Sequence, residues 1–210
     1  MKLLVTGASD GIGGATCVRF AEAAAAAGTP LDLAVTTSGR KGPPAALLER
    51  LAALGARCLH LAGDLALAET CTDLADRALD HLGGLDVFVS NAGAPSPGPL
   101  ADLPLETWDR MFAVNVRPTF VMAQRLRPAL MASRGVIVAV SSMSGQFPHR
   151  NSGAYSAAKA ALAMLCRNLA QEWAPDGIRV NAVCPGMVDT PLTAAIYEDA
   201  AIKARREALV

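Results

Sequence analysis

Close to the N-terminus a short apolar run, Leu3-Leu4-Val5, feeds directly into Thr6-Gly7-Ala8-Ser9-Asp10-Gly11-Ile12-Gly13, and an alanine-rich, helix-compatible segment follows. A strand that turns through glycine into a helix brings a strand end and free helix amides together within a few residues. Gly7, Gly11 and Gly13 let the backbone turn tightly and approach a pyrophosphate, whose charge those amides meet. The spacing is GxxxGxG rather than GxGxxG, and glycine-rich loops are often only turns. Its place directly after the first strand is what favours a phosphate cradle.

Downstream, apolar runs of strand length alternate with helical stretches: strands near 31–37, 57–62, 85–90, 135–141 and 178–184, helices near 12–27, 44–54, 67–82, 106–132 and 153–174. Such alternation belongs to βαβ units, so the chain reads as an α/β protein built on one doubly wound parallel sheet. Pro43-Pro44, Gly83-Gly84, Pro95 to Pro99 and Pro175-Asp176-Gly177 mark turns. The Ala23 to Ala27 run is helix rather than low complexity, alanine having the highest helix propensity. With 210 residues, 52% hydrophobic, and neither a repeat nor a linker, a single domain with a large core is expected.

Lys+Arg and Asp+Glu balance at 19 each, which leaves no basic stripe for nucleic acid, and no apolar run approaches the ~20 residues of a membrane span. Met1-Lys2 enters the first strand with no apolar leader, so a cytoplasmic protein with neither of those partners is expected. Five cysteines without a CxxC pair suggest reduced, mostly buried thiols. His60, His81 and His149 are scattered, and no metal site is proposed.

In a doubly wound sheet ligands collect beyond the carboxyl ends of the strands. The polar residues of this chain lie there: Asp64-Leu65 after the third strand, Asn91-Ala92-Gly93 after the fourth, Ser141-Ser142 after the fifth and Pro185-Gly186 after the sixth. On the same edge as the glycine loop, they describe a dinucleotide crevice. Asp64 could cap a helix, contact an adenine, or do both. Asn91 and Gly93 could also form only a turn.

Tyr155 and Lys159 stand one helical turn apart, so a phenol and an ammonium share a face. An ammonium nearby favours the phenolate, and the pair reads as an acid/base whose phenol is shifted down from its usual ~10.

With these residues in view, the chain resembles the short-chain dehydrogenase/reductase family over essentially all of 1–192. The resemblance is carried by Thr6 to Gly13, Asn91-Ala92-Gly93, Asn115 in Val114-Asn115-Val116, Ser142 in Ser141-Ser142-Met143-Ser144-Gly145, Tyr155 with Lys159, and Pro185-Gly186-Met187-Val188-Asp189-Thr190. It implies a Rossmann-type fold of three α/β/α layers over 1–190, with 191–210 a partial substrate lid. It also implies NAD(P)-dependent interconversion of an alcohol and a carbonyl by a tetrad of Asn115, Ser142, Tyr155 and Lys159. Tyr155 would exchange the proton, Ser142 would be a second donor to the substrate oxygen, Lys159 would bind the nicotinamide ribose, and Asn115 would hold a relay water. An asparagine in a helix can instead bond its own backbone. Ser144 competes for the serine role, but the thirteen-residue step back from Tyr155 matches the family serine at Ser142. Cofactor contacts are expected from Gly7, Ser9, Asp10, Gly11, Ile12 and Gly13 in the loop, and from Asp64, Leu65, Asn91, Ala92, Gly93 and Val114. Tyr155, Lys159, Pro185, Gly186, Val188 and Thr190 complete them.

The second strand ends in Val35-Thr36-Thr37-Ser38-Gly39-Arg40 without a carboxylate. Hydroxyls with Arg40 and Lys41 suit a 2′-phosphate, so NADP(H) is favoured over NAD(H). Asp10 in the glycine loop argues the other way, and Arg40 and Lys41 could be a solvated pair. Past Thr190-Pro191, family members usually continue through a further helix and a seventh strand, so a partial chain is expected. Relatives form dimers or tetramers, one contact using long helices, here near 106–132 and 153–174. The substrate, a small-molecule alcohol or ketone, as plausibly small or flexible as large, would meet Ala94 to Pro97, the run Gln146-Phe147-Pro148-His149 and residues 187–210. Gln146 and His149 could equally be loop surface. Two further readings remain open: a catalytically impaired dinucleotide binder, and an epimerase or dehydratase on the same scaffold.

Overall fold

A computed structural model describes residues 1–191 and 193. The elements run β1 (Lys2–Thr6), α1 (Gly11–Ala26), β2 (Asp32–Thr37), α2 (Ala45–Ala53), β3 (Arg57–Ala62), α3 (Ala68–Leu82), β4 (Val87–Ser90), α4 (Leu105–Asn115), α5 (Arg117–Ser133), β5 (Val136–Val140), α6 (Gly153–Trp173) and β6 (Arg179–Val183). All strand pairings are parallel, and the sheet has the order β3-β2-β1-β4-β5-β6. The direction of winding reverses between β1 and β4, which opens a crevice at their carboxyl ends.

Both faces of the sheet are covered, which is why its strands read as apolar runs rather than alternating ones. Side chains alternate across each strand. Leu3 and Val5 of β1 pack with Cys17 and Ala21 of α1 and Leu51 of α2. Leu4 points the other way, into a cluster with Phe88, Leu74 of α3, Leu126 of α5 and Leu162 of α6. The result is the three-layer Rossmann-type architecture that the sequence implies. Among the described residues no helix is long and apolar enough to cross a membrane.

One element differs from the sequence reading. The stretch near 106–132 is two helices, α4 and α5, broken at Val116 with φ −122 and ψ −55. Pro118 is the cause: it has no amide hydrogen to give back to Val114, and its ring would strike that carbonyl in a continuous helix. In a first turn the same proline is well placed, and α5 starts there. The lid segment expected at 191–210 lies outside the described residues apart from Pro191 and Thr193.

Candidate active site

The glycine loop is held from below by Asn91. Its Nδ2 donates to the carbonyls of Thr6 at 3.0 Å and Gly7 at 2.9 Å, while the Thr6 hydroxyl accepts the amides of Asn91 at 3.0 Å and Ala92 at 3.1 Å. This approach leaves no room for side chains. A Cβ on Gly13 would stand 2.5 Å from Asn91 Nδ2 and 2.5 Å from the Gly7 carbonyl, and one on Gly7 would meet the Ala92 backbone at 2.7 Å. Gly7 also has φ +66, which glycine adopts without strain. The first turn of α1 carries no acidic side chain, and Asp10 ahead of it makes no side-chain cap, so the amides there are open to an anion.

Ser142, Tyr155 and Lys159 meet at one end of the crevice. Ser142 follows β5 in extended backbone and opens a short 3-10 turn, Met143–Gly145, with its Oγ accepting the Ser144 amide at 3.1 Å. That turn seats directly on α6, because a Cβ on Gly145 would lie 2.7 Å from the Lys159 carbonyl carbon. Ser141 Oγ donates to the Lys159 carbonyl at 2.8 Å, tying the same two elements. The Lys159 side chain is 3% exposed, and its ammonium donates to the Val140 carbonyl at 2.8 Å and sits 5.7 Å from the centre of the Tyr155 ring. Asn115, 1% exposed, ends α4. Its Nδ2 donates to the carbonyls of Ala94 and Met111, both at 3.0 Å, and its Oδ1 accepts the Ala94 amide at 3.2 Å. Both amide hydrogens therefore go to backbone, one to its own helix and one to the loop after β4. Asn115 stands behind Gly93, where a Cβ would meet its Oδ1 at 2.8 Å and Lys159 Nζ at 3.1 Å.

Electrostatics at this end depart from expectation. Burial pushes the Tyr155 phenol up from its usual value, opposed by the Ser142 hydroxyl, and Lys159 does not lower it. The physical reason is that Lys159 is itself desolvated. Burial drives its ammonium down to about 8, resisted by Cys184, so its charge is costly where the sequence reading assumed it fixed. All five cysteines are free thiols, and burial raises Cys17 to about 12 and Cys58, Cys71 and Cys166 to about 11.

Most of the expected contact residues line the crevice. Gly7, Ser9, Asp10, Gly11 and Ile12 lie along the loop, and Pro185, Gly186, Val188 and Thr190 follow β6. Asn91, Ala92, Gly93 and Val114 lie between, with Asp64, Leu65 and Arg40 at the far end. Gly13 and Asn115 are one layer behind. Asp64 is not the cap of α3, which starts after Leu67; its Oδ1 accepts the Ala66 amide at 3.0 Å. Arg40 is exposed on a turn entered through Gly39, with φ +74. Gln146, Phe147, Pro148 and His149 are not among the lining residues; Gln146 Nε2 donates to Cys184 Sγ at 3.4 Å, and Phe147 is 59% exposed. Sequence reasoning missed Arg110, which lines the crevice one helical turn before Val114, a spacing that could have revealed it. It also passed over Thr36, which lines the crevice and whose buried hydroxyl has no hydrogen-bond partner among the described residues. A loop packed too tightly on Asn91 and Ala92 for a Cβ at Gly7 or Gly13, with helix amides open beside it, fits a dinucleotide phosphate.

The family described as short chain dehydrogenase matches residues 2–201. A cis-4-hydroxycyclohexanecarboxylate dehydrogenase from Sinomonas cyclohexanicum is 38% identical over 198 residues, covering 93% of this chain and 76% of the relative. The crystal structure of a short chain dehydrogenase from Burkholderia cenocepacia J2315 in complex with NADP superimposes with a TM-score of 0.82 at 34% identity, over 95% of this chain and 80% of that one. An NADH-dependent reductase, A1-R′, complexed with NAD has a TM-score of 0.80 at 26% identity, over 89% of this chain and 78% of that one. Structural relatives thus hold one dinucleotide or the other.

Proposed function

This chain belongs to the short chain dehydrogenase family, NAD(P)-dependent oxidoreductases, and we propose that it interconverts a secondary alcohol and its carbonyl with Tyr155 as the general acid/base. The observation that carries the reading is the meeting of Ser142, Tyr155 and Lys159 at one end of a crevice whose other wall is the glycine loop. The nicotinamide, when bound, supplies hydride exchange with the substrate carbon. The glycine loop and the α1 amides would hold the pyrophosphate, and Lys159 with Tyr155 the nicotinamide ribose.

In the reducing direction the Tyr155 hydroxyl donates its proton to the substrate oxygen, and in the oxidising direction it takes one back. Burial keeps the phenol in its protonated form while weakening it as an acid, and the Ser142 hydroxyl, which opposes that shift, is a second donor to the oxygen on which charge develops. Two fixed donors stabilise that charge more than they stabilise the ground-state carbonyl. Asn115 acts by position. Its bonds to Ala94 hold the loop beside Gly93, which leaves room for the Lys159 ammonium.

The cofactor assigned is NADP(H). Ser38 supplies a hydroxyl just past β2 and Arg40 a cation for a 2′-phosphate, while the Thr37 hydroxyl, bonded to His60 Nε2 at 2.9 Å and accepting the Gly39 amide at 3.3 Å, shapes the turn that carries them. The test is a parallel fluorescence titration with NADPH and NADH. Tighter NADPH binding supports the assignment, tighter NADH binding reverses it, and binding of neither removes the crevice as a dinucleotide site.

A further inference from the structure

Behind the end of β2 stands a titratable side chain that the mechanism leaves unused. His60 lies partly buried in β3, the edge strand of the sheet, opposite Val35 of β2. Its Nε2 is 2.9 Å from the Thr37 hydroxyl oxygen, to which the Gly39 amide also donates at 3.3 Å. Thr37 is 6% exposed and lines the crevice beside Ser38 and Arg40. By alternation His60 shares a face with Cys58, against Cys17 of α1 and Leu47, Leu48 and Leu51 of α2. Burial raises Cys58 to about 11 and Cys17 to about 12, so both thiols keep their protons at neutral pH. Glu49 and Arg50 on α2 and Arg40 and Lys41 on the turn are exposed, Asp32 at the far end of β2 pairs with Arg57, and Asp64 past β3 accepts the Ala66 amide. The opposite face of β3 packs Leu59 and Leu61 toward α3. Among these groups the His60 imidazole is the one whose ordinary titration falls near neutrality.

The Thr37 hydroxyl has one hydrogen to give and two lone pairs, one of which takes the Gly39 amide. In a neutral imidazole Nε2 either accepts the hydroxyl hydrogen or donates to the oxygen, whereas in the imidazolium it only donates. Burial lowers His60 from its ordinary value, so the free chain holds the neutral ring at pH 7. A 2′-phosphate dianion shifts that balance, because it accepts hydrogen bonds without giving any and its charge favours a cation nearby. With Nε2 donating, both lone pairs of Thr37 are filled and its hydrogen is free to turn into the crevice. A ribose 2′-hydroxyl both gives and accepts, and makes no such demand. We propose that His60 is a positioning residue that reads the 2′-group: a 2′-phosphate draws a proton from solvent onto its imidazole, Nε2 donates to Thr37, and the Thr37 hydroxyl donates to a phosphate oxygen. This rests on the crevice being the dinucleotide site, with the 2′-group at the end of β2.

The test measures binding and proton uptake together, by calorimetric titration of the chain with NADPH and with NADH at pH ~7 in two buffers of different ionisation enthalpy. Lys159, near 8, can take up a proton with either cofactor, so the quantity read is the difference between the two. NADPH is expected to bring about half a proton more than NADH, and to lose about fivefold in affinity relative to NADH between pH ~6.5 and pH ~8. Ionisation of the phosphate itself, near ~6, acts with the opposite sign, since the dianion binds better as pH rises. His60→Gln keeps a donor but does not titrate, so it should remove the extra proton while binding NADPH within about threefold of wild type. In wild type, NMR of the His60 ring should show imidazolium in the NADPH complex and neutral imidazole in the NADH complex. Equal uptake with the two cofactors would overturn the proposal, as would a neutral ring in both complexes or an extra proton that survives in His60→Gln. Wild type that binds neither dinucleotide removes the underlying site reading, whereas binding without the extra proton removes the role of His60 alone.

Discussion

The two ends of the crevice are made of different material. At the Tyr155 end the groups are packed: Lys159 is 3% exposed, Asn115 1% and Ser141 4%, and each bonds backbone from another element. At the Arg40 end the chain offers an exposed turn through Gly39, an exposed arginine and an open pair between Arg110 and Asp64. Buried groups hold one geometry because every displacement breaks a bond that water cannot replace. Exposed ones exchange partners with solvent at small cost. On the proposed reading, chemistry resides where packing fixes geometry, and cofactor choice where a few surface residues can change without disturbing the core.

The sharpest way to break this contrast is Tyr155→Phe. It should lower kcat by about a thousandfold while the Kd for NADPH moves less than about threefold, because the hydroxyl acts on the reacting oxygen. Next in size is Gly13→Ala, whose added Cβ lies 2.5 Å from both Asn91 Nδ2 and the Gly7 carbonyl. It should cost about 1–3 kcal/mol in chemical denaturation and weaken cofactor binding. Unchanged stability would mean that the loop is looser than its contacts imply.

The buried lysine makes stability depend on pH. Lys159 lies near 8 in the folded chain, against an ordinary 10.5, so between those values the unfolded state binds the extra proton and stability rises with pH. From pH ~8 to pH ~10 the gain should be about 2 kcal/mol. The raised thiols act oppositely above pH ~9, where the unfolded state is the one to lose protons. Wild type should therefore be compared with Lys159→Met across that range, and parallel curves would show that the lysine keeps its charge at little cost. The smallest effect belongs to the open end. Arg40→Glu should weaken NADPH about tenfold and NADH less than about threefold, read by fluorescence titration, and equal losses would deny Arg40 its phosphate role.

Much of this was legible because parallel strands covered on both faces leave continuous apolar runs, and β2, β3 and β6 fall within a residue or so of where those runs place them. The break at Val116 was readable in principle from Pro118, but strong periodicity on both sides masks one missing hydrogen bond. The pairing of Tyr155 with Lys159 followed from spacing alone. Their protonation did not, because burial is a property of the packed elements around α6 and not of the helix itself. Arg110 was hidden for a related reason: an arginine on a helix is ordinarily a solvated charge, and only the approach of the turn after β3 brings it opposite Asp64.

Net hydride transfer, on the proposed reading, is governed by the packed end. Its most direct test follows nicotinamide absorbance while wild type and Tyr155→Phe, each saturated with NADPH, are offered a panel of small cyclic and acyclic ketones. Wild type should consume one NADPH for each alcohol formed, and Tyr155→Phe, with cofactor bound, almost none. Product formed without net loss of NADPH, or equal rates in the two proteins, would contradict it.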